Sequence, residues 1–355
     1  MISYKTFAHL LLTWSQDNQR DLPWKSDRNP YKIWLSEVIL QQTRVNQGMP
    51  YYLHFIEEYP DIFALANATE DQILKSWEGL GYYTRARNLH KAAQIIASEL
   101  NGVFPVTYAD LLQLPGIGPY SAAAIASFAY ELSVAVVDGN VLRVISRITG
   151  LKIPVDSKEG KAYIQNFADN AIQFALPSAF NQAIMDIGAT ICKPAAPLCK
   201  MCPFSDTCCA YLSHETDKIP IKKNKISKKE RLFVFLDIII NKKYTLLVQQ
   251  KNNDIWKGMF LFPFLQDVDN NYEKSVQKLT DELFGKKPDL IIHKTCNKPL
   301  KQILTHRIVY AEYIQVIIDN IPEKINKTFH LVERAEMQNF AMPKIMKDYL
   351  KNLNI

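Results

Sequence analysis

Four cysteines fall within seventeen residues: Cys192, Cys199, Cys202 and Cys208, spaced C-x6-C-x2-C-x5-C. Thiolates at that density can wrap one metal centre. An iron–sulfur cluster takes four Cys ligands, and a structural zinc takes four tetrahedral ones. The spacing argues for iron, because structural zinc usually sits between two close Cys pairs and only Cys199 and Cys202 form one. The plain alternative is a set of buried, apolar thiols.

Two carboxylates stand out next. Glu37 lies in an apolar helical stretch running from Trp34 to Leu40. Desolvation there would raise its pKa and favour the neutral acid, which can donate a proton near pH 7. Its ordinary role would be an edge position paired with Arg20 or Arg44. Asp138 follows Val136 and Val137 and precedes Gly139. It can cap a helix that starts near Val141, and it can also face a nucleotide held nearby.

A third element could hold that nucleotide. In Leu114 to Ile125 (LPGIGPYSAAAI), Pro115 stops one helix, Gly116 and Gly118 permit a tight turn, and a small-residue helix begins. Backbone N–H groups at such a hairpin and helix start can bind a phosphate oxygen. This is a helix-hairpin-helix element over about residues 108–128, although a simple helical corner would share its G-x-G.

The elements that position these groups follow from pattern. A chain of 355 residues should form about two domains. Residues 1–217 read as all-α, with apolar residues recurring at three- and four-residue spacing in 33–45, 71–77, 88–100 and 121–130. The cysteine loop, 192–208, lies near the end of that part. Residues 218–230 are basic and lack aromatics; they read as a linker or as a tether over a phosphate backbone. From 231 to 355 the pattern is α+β. LFVFLDIII and YTLLVQQ flank Asn241-Lys242-Lys243 as a hairpin, 273–285 reads as helix, 303–318 is strand-rich, and a last helix spans 342–353.

Hydrophobic content of 48% fills two cores, and a net charge of +6 is compatible with a polyanionic partner. No apolar run reaches membrane-spanning length, and no signal peptide is visible. Six cysteines with four in one cluster do not make a secreted disulfide framework. A reducing, cytoplasmic setting is expected.

These segments together resemble a known family. Leu22-Pro23-Trp24, SEVILQQTRV (36–45), WEGLGYYTRARNLHKAA (77–93), LPGIGPYSAAAI, VDGNVLRV (137–144), NQAIMDIGATIC (181–192) and the four-Cys run are similar to the MutY adenine DNA glycosylases of the endonuclease III superfamily. The resemblance implies a multi-domain protein: a helix-hairpin-helix glycosylase domain, then a Nudix-like domain. It implies base excision repair, with adenine removed opposite 8-oxoguanine or guanine in double-stranded DNA. By position, Glu37 would protonate the adenine and Asp138 would stabilise the oxocarbenium-like sugar, a pairing akin to glycoside hydrolysis.

Tyr120 stands where strand-cutting relatives carry Lys. A phenol cannot form an imine, so a monofunctional enzyme is expected, with Asn140 supporting the pocket. Gln42 and Tyr82 match intercalating positions that act when the base leaves the stack. Gln182 matches a reader of the adenine edge, and Arg20, Trp24 and Leu40 match pocket positions. Gly116, Gly118 and Arg143 join the DNA-binding set. The four cysteines would hold one [4Fe-4S] cluster, with Lys193 and Lys200 beside it, while Cys209 and Cys296 are spare.

In the C-terminal part, WKGMFLFP (256–263) matches a family segment, but no Nudix box of spaced Glu and Arg is present, so Mg²⁺-assisted hydrolysis is not expected. Leu304-Thr305-His306 aligns with a Phe-Ser-His loop, assigning Thr305 and His306 to the lesion. A monomer is expected. The competing readings are an endonuclease III-like glycosylase/lyase for oxidised pyrimidines and a non-catalytic DNA-binding module.

Overall fold

The computed structural model describes residues 2–353 apart from 26, 224–227, 252–254, 267–272, 285–290, 295–298, 305 and 323–324. The chain divides into two compact units. One joins Met1–Asn67 to Asn88–Lys225, and the other joins Ala68–Arg87 to Ile226–Ile355. The division expected from composition, 1–217 against 231–355, did not include the return of residues 68–87 to the second unit.

The first unit is helical. Its helices are α1 (Tyr4–Gln16), α2 (Pro30–Leu40), α3 (Val45–Glu58) and α4 (Ile62–Asn67); α5 (Glu70–Ser76) and the start of α6 (Thr84–Glu99) belong to the second unit. After the body of α6 come α7 (Tyr108–Leu111), α8 (Pro119–Tyr130), α9 (Gly139–Thr149), α10 (Lys158–Ala171), α11 (Pro177–Thr190) and α12 (Cys209–Leu212). Local chemistry sets several starts. The Ser3 hydroxyl accepts from Thr6 N–H, and Asn29 caps α2 with Pro30 in its first turn. The core gathers Phe7 and Leu11 of α1, Val144 and Ile148 of α9, Phe167, Phe180, Ile184 and Phe204. Phe7 stacks on Phe204 at 4.9 Å between ring centroids and meets Phe167 edge-on at 5.2 Å. The cysteine loop, which contains Phe204, is thereby anchored to the same core as the catalytic-side helices.

Two expectations need correction. The apolar rhythm of 33–45 predicts one helix, but α2 ends at Leu40, and Gln42 takes a left-handed backbone with φ 55°. That conformation cannot continue a helix. The stretch 218–230 is not all linker. Ile219 is buried, and its carbonyl accepts from Arg147 Nε at 2.9 Å. Val155 N–H donates to Ile221 O at 2.9 Å, and Lys223 N–H to Asp156 Oδ1 at 2.8 Å. The strand expected from 231 already begins at Lys229.

The second unit is a sheet with helices. Its strands are β1 (Lys229–Ile240), β2 (Tyr244–Gln249), β3 (Phe260–Leu261), β4 (Phe264–Gln266), β5 (Ile291–Lys294), β6 (Leu300–Ile303), β7 (Arg307–Ile318) and β8 (Phe329–Glu333). The main path runs β3-β2-β1-β7-β5, with β4 on β1, β6 on β7 and β8 on β2. β1 and β7 run parallel with Lys229 opposite Arg307 and Ile240 opposite Ile318, and the other pairs are antiparallel.

Alternation along β1 divides its side chains between two faces. Val234, Leu236 and Ile238 pack with Val276 and Leu283 of α13 (Glu273–Phe284). On the other face, Phe233 meets Trp256 at 4.8 Å, and Tyr313 stacks on Tyr349 of α14 (Lys344–Asn352) at 3.8 Å. Asp237 is buried there, paired with Arg334 and accepting from the Tyr349 hydroxyl at 3.0 Å. The hairpin is present, with Asn241 and Lys242 in left-handed backbone and Ile240 opposite Tyr244. Residues 68–87 join this unit through Glu78, whose carboxylate accepts from Met342 N–H at 2.9 Å, and through Gln249, which donates to Asp71 at 3.1 Å. No described helix is long and apolar enough to cross a membrane.

Candidate active site

Nearly every residue of α2 from Ile33 to Ile39 is buried, and Glu37 is among them at 5% exposed. Burial pushes its carboxyl up to about 7. A hydrogen bond with Tyr120 pulls the other way, and the nearby charge of Asp138 adds to the rise. Tyr120 sits in the first turn of α8, and burial, then Glu37, hold its phenol well above the ordinary value. The fold thus brings Glu37, Tyr120 and Asp138 within electrostatic reach of one another. Glu37 shows no ion pair with Arg20: that guanidinium lies 3.9 Å from Asp186 instead.

Asp138 takes the capping role that the sequence allowed. Its Oδ1 accepts from the N–H groups of Asn140 and Val141, both at 2.8 Å, and caps α9. Its Oδ2 accepts from the Asn140 side-chain amide at 2.7 Å. Three N–H donors therefore fix the carboxylate's orientation. The extended segment leading into it is tied to α11 by Asn181, which accepts from Val136 N–H at 2.9 Å and donates to Val134 O at 3.0 Å. Asn181 went unnoticed in sequence, since nothing local marks a residue that clamps an extended segment 45 positions away.

The hairpin lies between α7 and α8. Gly116 has φ 77°, and a Cβ there would come within 2.6 Å of Asn88 Cβ, so glycine is required twice over. Gly118 is the N-cap of α8 with open space around it and no capping side chain. Such an end is available to an anion. Gln41 at the end of α2 donates to Ser121 of α8 at 3.0 Å, joining hairpin and acid helix.

Beside Glu37 opens a cavity of about 220 Å³ lined by Trp24, Lys25, Gln182, Asp186 and Phe128, among others. Trp24 packs edge-on against Tyr52 at 5.1 Å. Gln182 Nε2 donates to Asp186 Oδ1 at 3.2 Å, and Lys25 Nζ donates to Asp186 Oδ2 at 2.7 Å. Sequence reasoning missed Lys25 and Asp186. The available signal was Asp186 four residues after Gln182, on the same helical face. Leu40 is half-buried, its side chain close to Gly48. Gln42 is exposed.

The four cysteines line one pocket with Arg147, Ile148, Ile191 and Phe204, and the described cysteines are free thiols. Arg147 is buried and donates to Lys193 O at 2.7 Å and Pro194 O at 3.0 Å, with Nη1 3.5 Å from Cys192 Sγ. Arg143, assigned from sequence to the DNA-binding set, is also buried. It donates to Cys192 O at 2.7 Å, Gly188 O at 2.8 Å and Asn140 Oδ1 at 2.9 Å. Its guanidinium thus links the cysteine loop to the Asp138 cap within the protein. Among the described residues, no three His, Cys, Asp or Glu side chains converge on a ready single-ion site.

In the second unit, Tyr82 is 44% exposed with φ 49°, whereas its neighbour Tyr83 is buried at 8%. A non-glycine residue held in that backbone region stores strain of roughly 1–3 kcal/mol. Tyr82, Trp256, Gln302, Leu304 and His306 line a cavity of about 550 Å³. Thr305 and Cys296 lie outside the described residues.

Residues 35–169 match the family described as HhH-GPD superfamily base excision DNA repair protein. The chain is 38% identical over 324 residues to an adenine DNA glycosylase of Buchnera aphidicola subsp. Baizongia pistaciae, covering 89% of this chain and 87% of that protein. It is 42% identical to the mouse adenine DNA glycosylase over 58% of this chain and 42% of the relative. Among solved structures, a thermostable thymine-DNA glycosylase superposes with a TM-score of 0.55 at 28% identity, over 59% of this chain and 97% of its own. With similarity sustained along nearly the whole of its bacterial relative, the chain belongs to the adenine DNA glycosylase family.

Proposed function

We propose that this protein is a monofunctional DNA glycosylase that removes adenine paired with 8-oxoguanine or guanine in duplex DNA. The observation that carries the reading is the unlike pair of carboxyls. Glu37, pushed up to about 7, keeps a large neutral fraction at physiological pH, and Asp138 is oriented by three N–H donors. Neutral Glu37 gives its proton to the adenine ring as the N-glycosidic bond breaks, and the bonding electrons leave with the base. Asp138 stabilises the cationic sugar carbon, to which water then adds. Tyr120 shares its hydrogen bond with Glu37 and offers no amine, so no imine forms and the strand stays intact. Asn140 holds Asp138, and Gln182, Trp24, Arg20 and Leu40 shape the base pocket.

The hairpin glycines, Gly116 and Gly118, let backbone N–H groups approach phosphate, and Gln42 and Tyr82 support the opened duplex. The four cysteines fit a [4Fe-4S] cluster. All four line one pocket, and such a cluster takes four Cys ligands. When bound, the cluster supplies a rigid cross-link for the loop bearing Lys193 and Lys200. The second unit acts as a Nudix-related lesion reader through the cavity of Tyr82, Gln302 and His306, with Thr305 assigned to the lesion by the family resemblance. The protein acts as a cytoplasmic monomer.

The test is a single-turnover assay on duplex DNA carrying one A opposite 8-oxoguanine, developed with and without alkali. Strand breaks seen only after alkali support the proposal. Breaks without alkali would point to a Lys nucleophile, and no base release at all would overturn the activity.

A further inference from the structure

We propose that Asp186 sets the base selectivity of the pocket by fixing which end of the Gln182 amide faces the base. The inference rests on the reading of this cavity as the adenine site. Asp186 is 2% exposed and lies on the wall of the cavity that Glu37, Trp24 and Gln182 also line. Its two oxygens are divided among partners. Oδ1 accepts from Gln182 Nε2 at 3.2 Å and lies 3.9 Å from Arg20 Nη1, while Oδ2 accepts from Lys25 Nζ at 2.7 Å. Two cationic side chains therefore accompany one buried carboxylate.

An ionised carboxylate only accepts hydrogen bonds. Gln182 must then turn the NH₂ end of its amide toward Asp186, which directs the Oε1 end away from it. A free Gln amide would discriminate poorly, because its oxygen and nitrogen ends are nearly the same size and interchange by rotation. With the amide held by Asp186, an acceptor is presented to the bound base. The adenine 6-amino group donates to it. A 6-oxo purine such as hypoxanthine sets oxygen against oxygen and loses the contact. Gln182 and Asp186 stand four apart on α11, so one helical turn fixes their spacing. Asp186 is thus a positioning residue that acts through Gln182.

The experiment compares single-turnover excision of adenine and of hypoxanthine, each opposite 8-oxoguanine, by the full-length protein. The variants are Asp186→Asn, Gln182→Leu and the double substitution. Asn offers both donor and acceptor, so Gln182 is free to rotate. Asp186→Asn is expected to lower the adenine-to-hypoxanthine rate ratio by about tenfold, within the range one base-reading side chain contributes. Gln182→Leu should lower the ratio by itself, and Asp186→Asn should change it no further in that background. Gln182→Leu keeps the test decisive if Asp186→Asn fails to fold.

A ratio unchanged in either single variant, with both rates falling together, would reduce the pair to a structural role and overturn the proposal. A further fall in the double variant would show Asp186 acting through Lys25 or Arg20, also overturning it. Wild-type protein that releases no adenine would overturn the activity and this inference together, whereas normal adenine release with an unchanged ratio overturns this inference alone.

Discussion

Two cavities of this molecule are built on opposite principles. The one beside Glu37 measures about 220 Å³ and is walled by charges, each held by a partner: Asp186 by Lys25, and Arg28 with Glu131. The one in the second unit measures about 550 Å³ and is walled by Tyr82, Tyr83, Trp256, Ile303 and Leu304, with few charged groups. The first is small and polar, with a carboxyl moved toward neutrality, which suits proton transfer. The second offers ring faces and one exposed tyrosine on a strained backbone, which suits stacking on a base. Chemistry needs buried groups with fixed partners, while recognition of an opened duplex needs exposed rings held in place by their backbone.

The sharpest way to break this contrast is Asp138→Asn. It should lower excision on the order of a thousandfold through lost charge stabilisation, with DNA affinity retained, as read by single-turnover rates beside equilibrium binding. Wild-type turnover in the variant would remove Asp138 from the chemistry. Tyr82→Ala tests the other cavity. One lost base–ring stack of about 1–3 kcal/mol should weaken binding to mismatched duplex, with smaller change in excision at saturating enzyme. A large loss of chemistry with binding intact would blur the division between the two regions. Arg147→Met tests the support of the cysteine loop rather than either cavity. Its guanidinium satisfies the carbonyls of Lys193, Pro194 and Ile219, so thermal unfolding should show a loss of about 2–4 kcal/mol. An unchanged melting temperature would mean the loop finds its support elsewhere.

What could be read from the chain follows the same division. Glu37, Asp138 and the cysteines drew attention through residue type and spacing, and Tyr120 through the family resemblance. Asp186 did not, since its strongest partner, Lys25, lies 161 positions away. The second-unit membership of residues 68–87 was hidden for the same reason, as Glu78 meets Met342 across 264 positions. The early end of α2 escaped because apolar spacing continues past Gln42 while the backbone does not. Ile219 was read as part of a solvated basic run, although two isoleucines flank Pro220 there and one of them is buried.

The central claim is that Glu37 works as a neutral acid tuned by Tyr120, and a pH profile of single-turnover excision tests it most directly. The rate should fall as pH rises through about 7, where Glu37 loses its proton. Tyr120→Phe removes the hydrogen bond that holds this pKa down, so its falling limb should move to higher pH. A wild-type rate that stays level across that pH, or a limb that Tyr120→Phe leaves in place, would contradict the account.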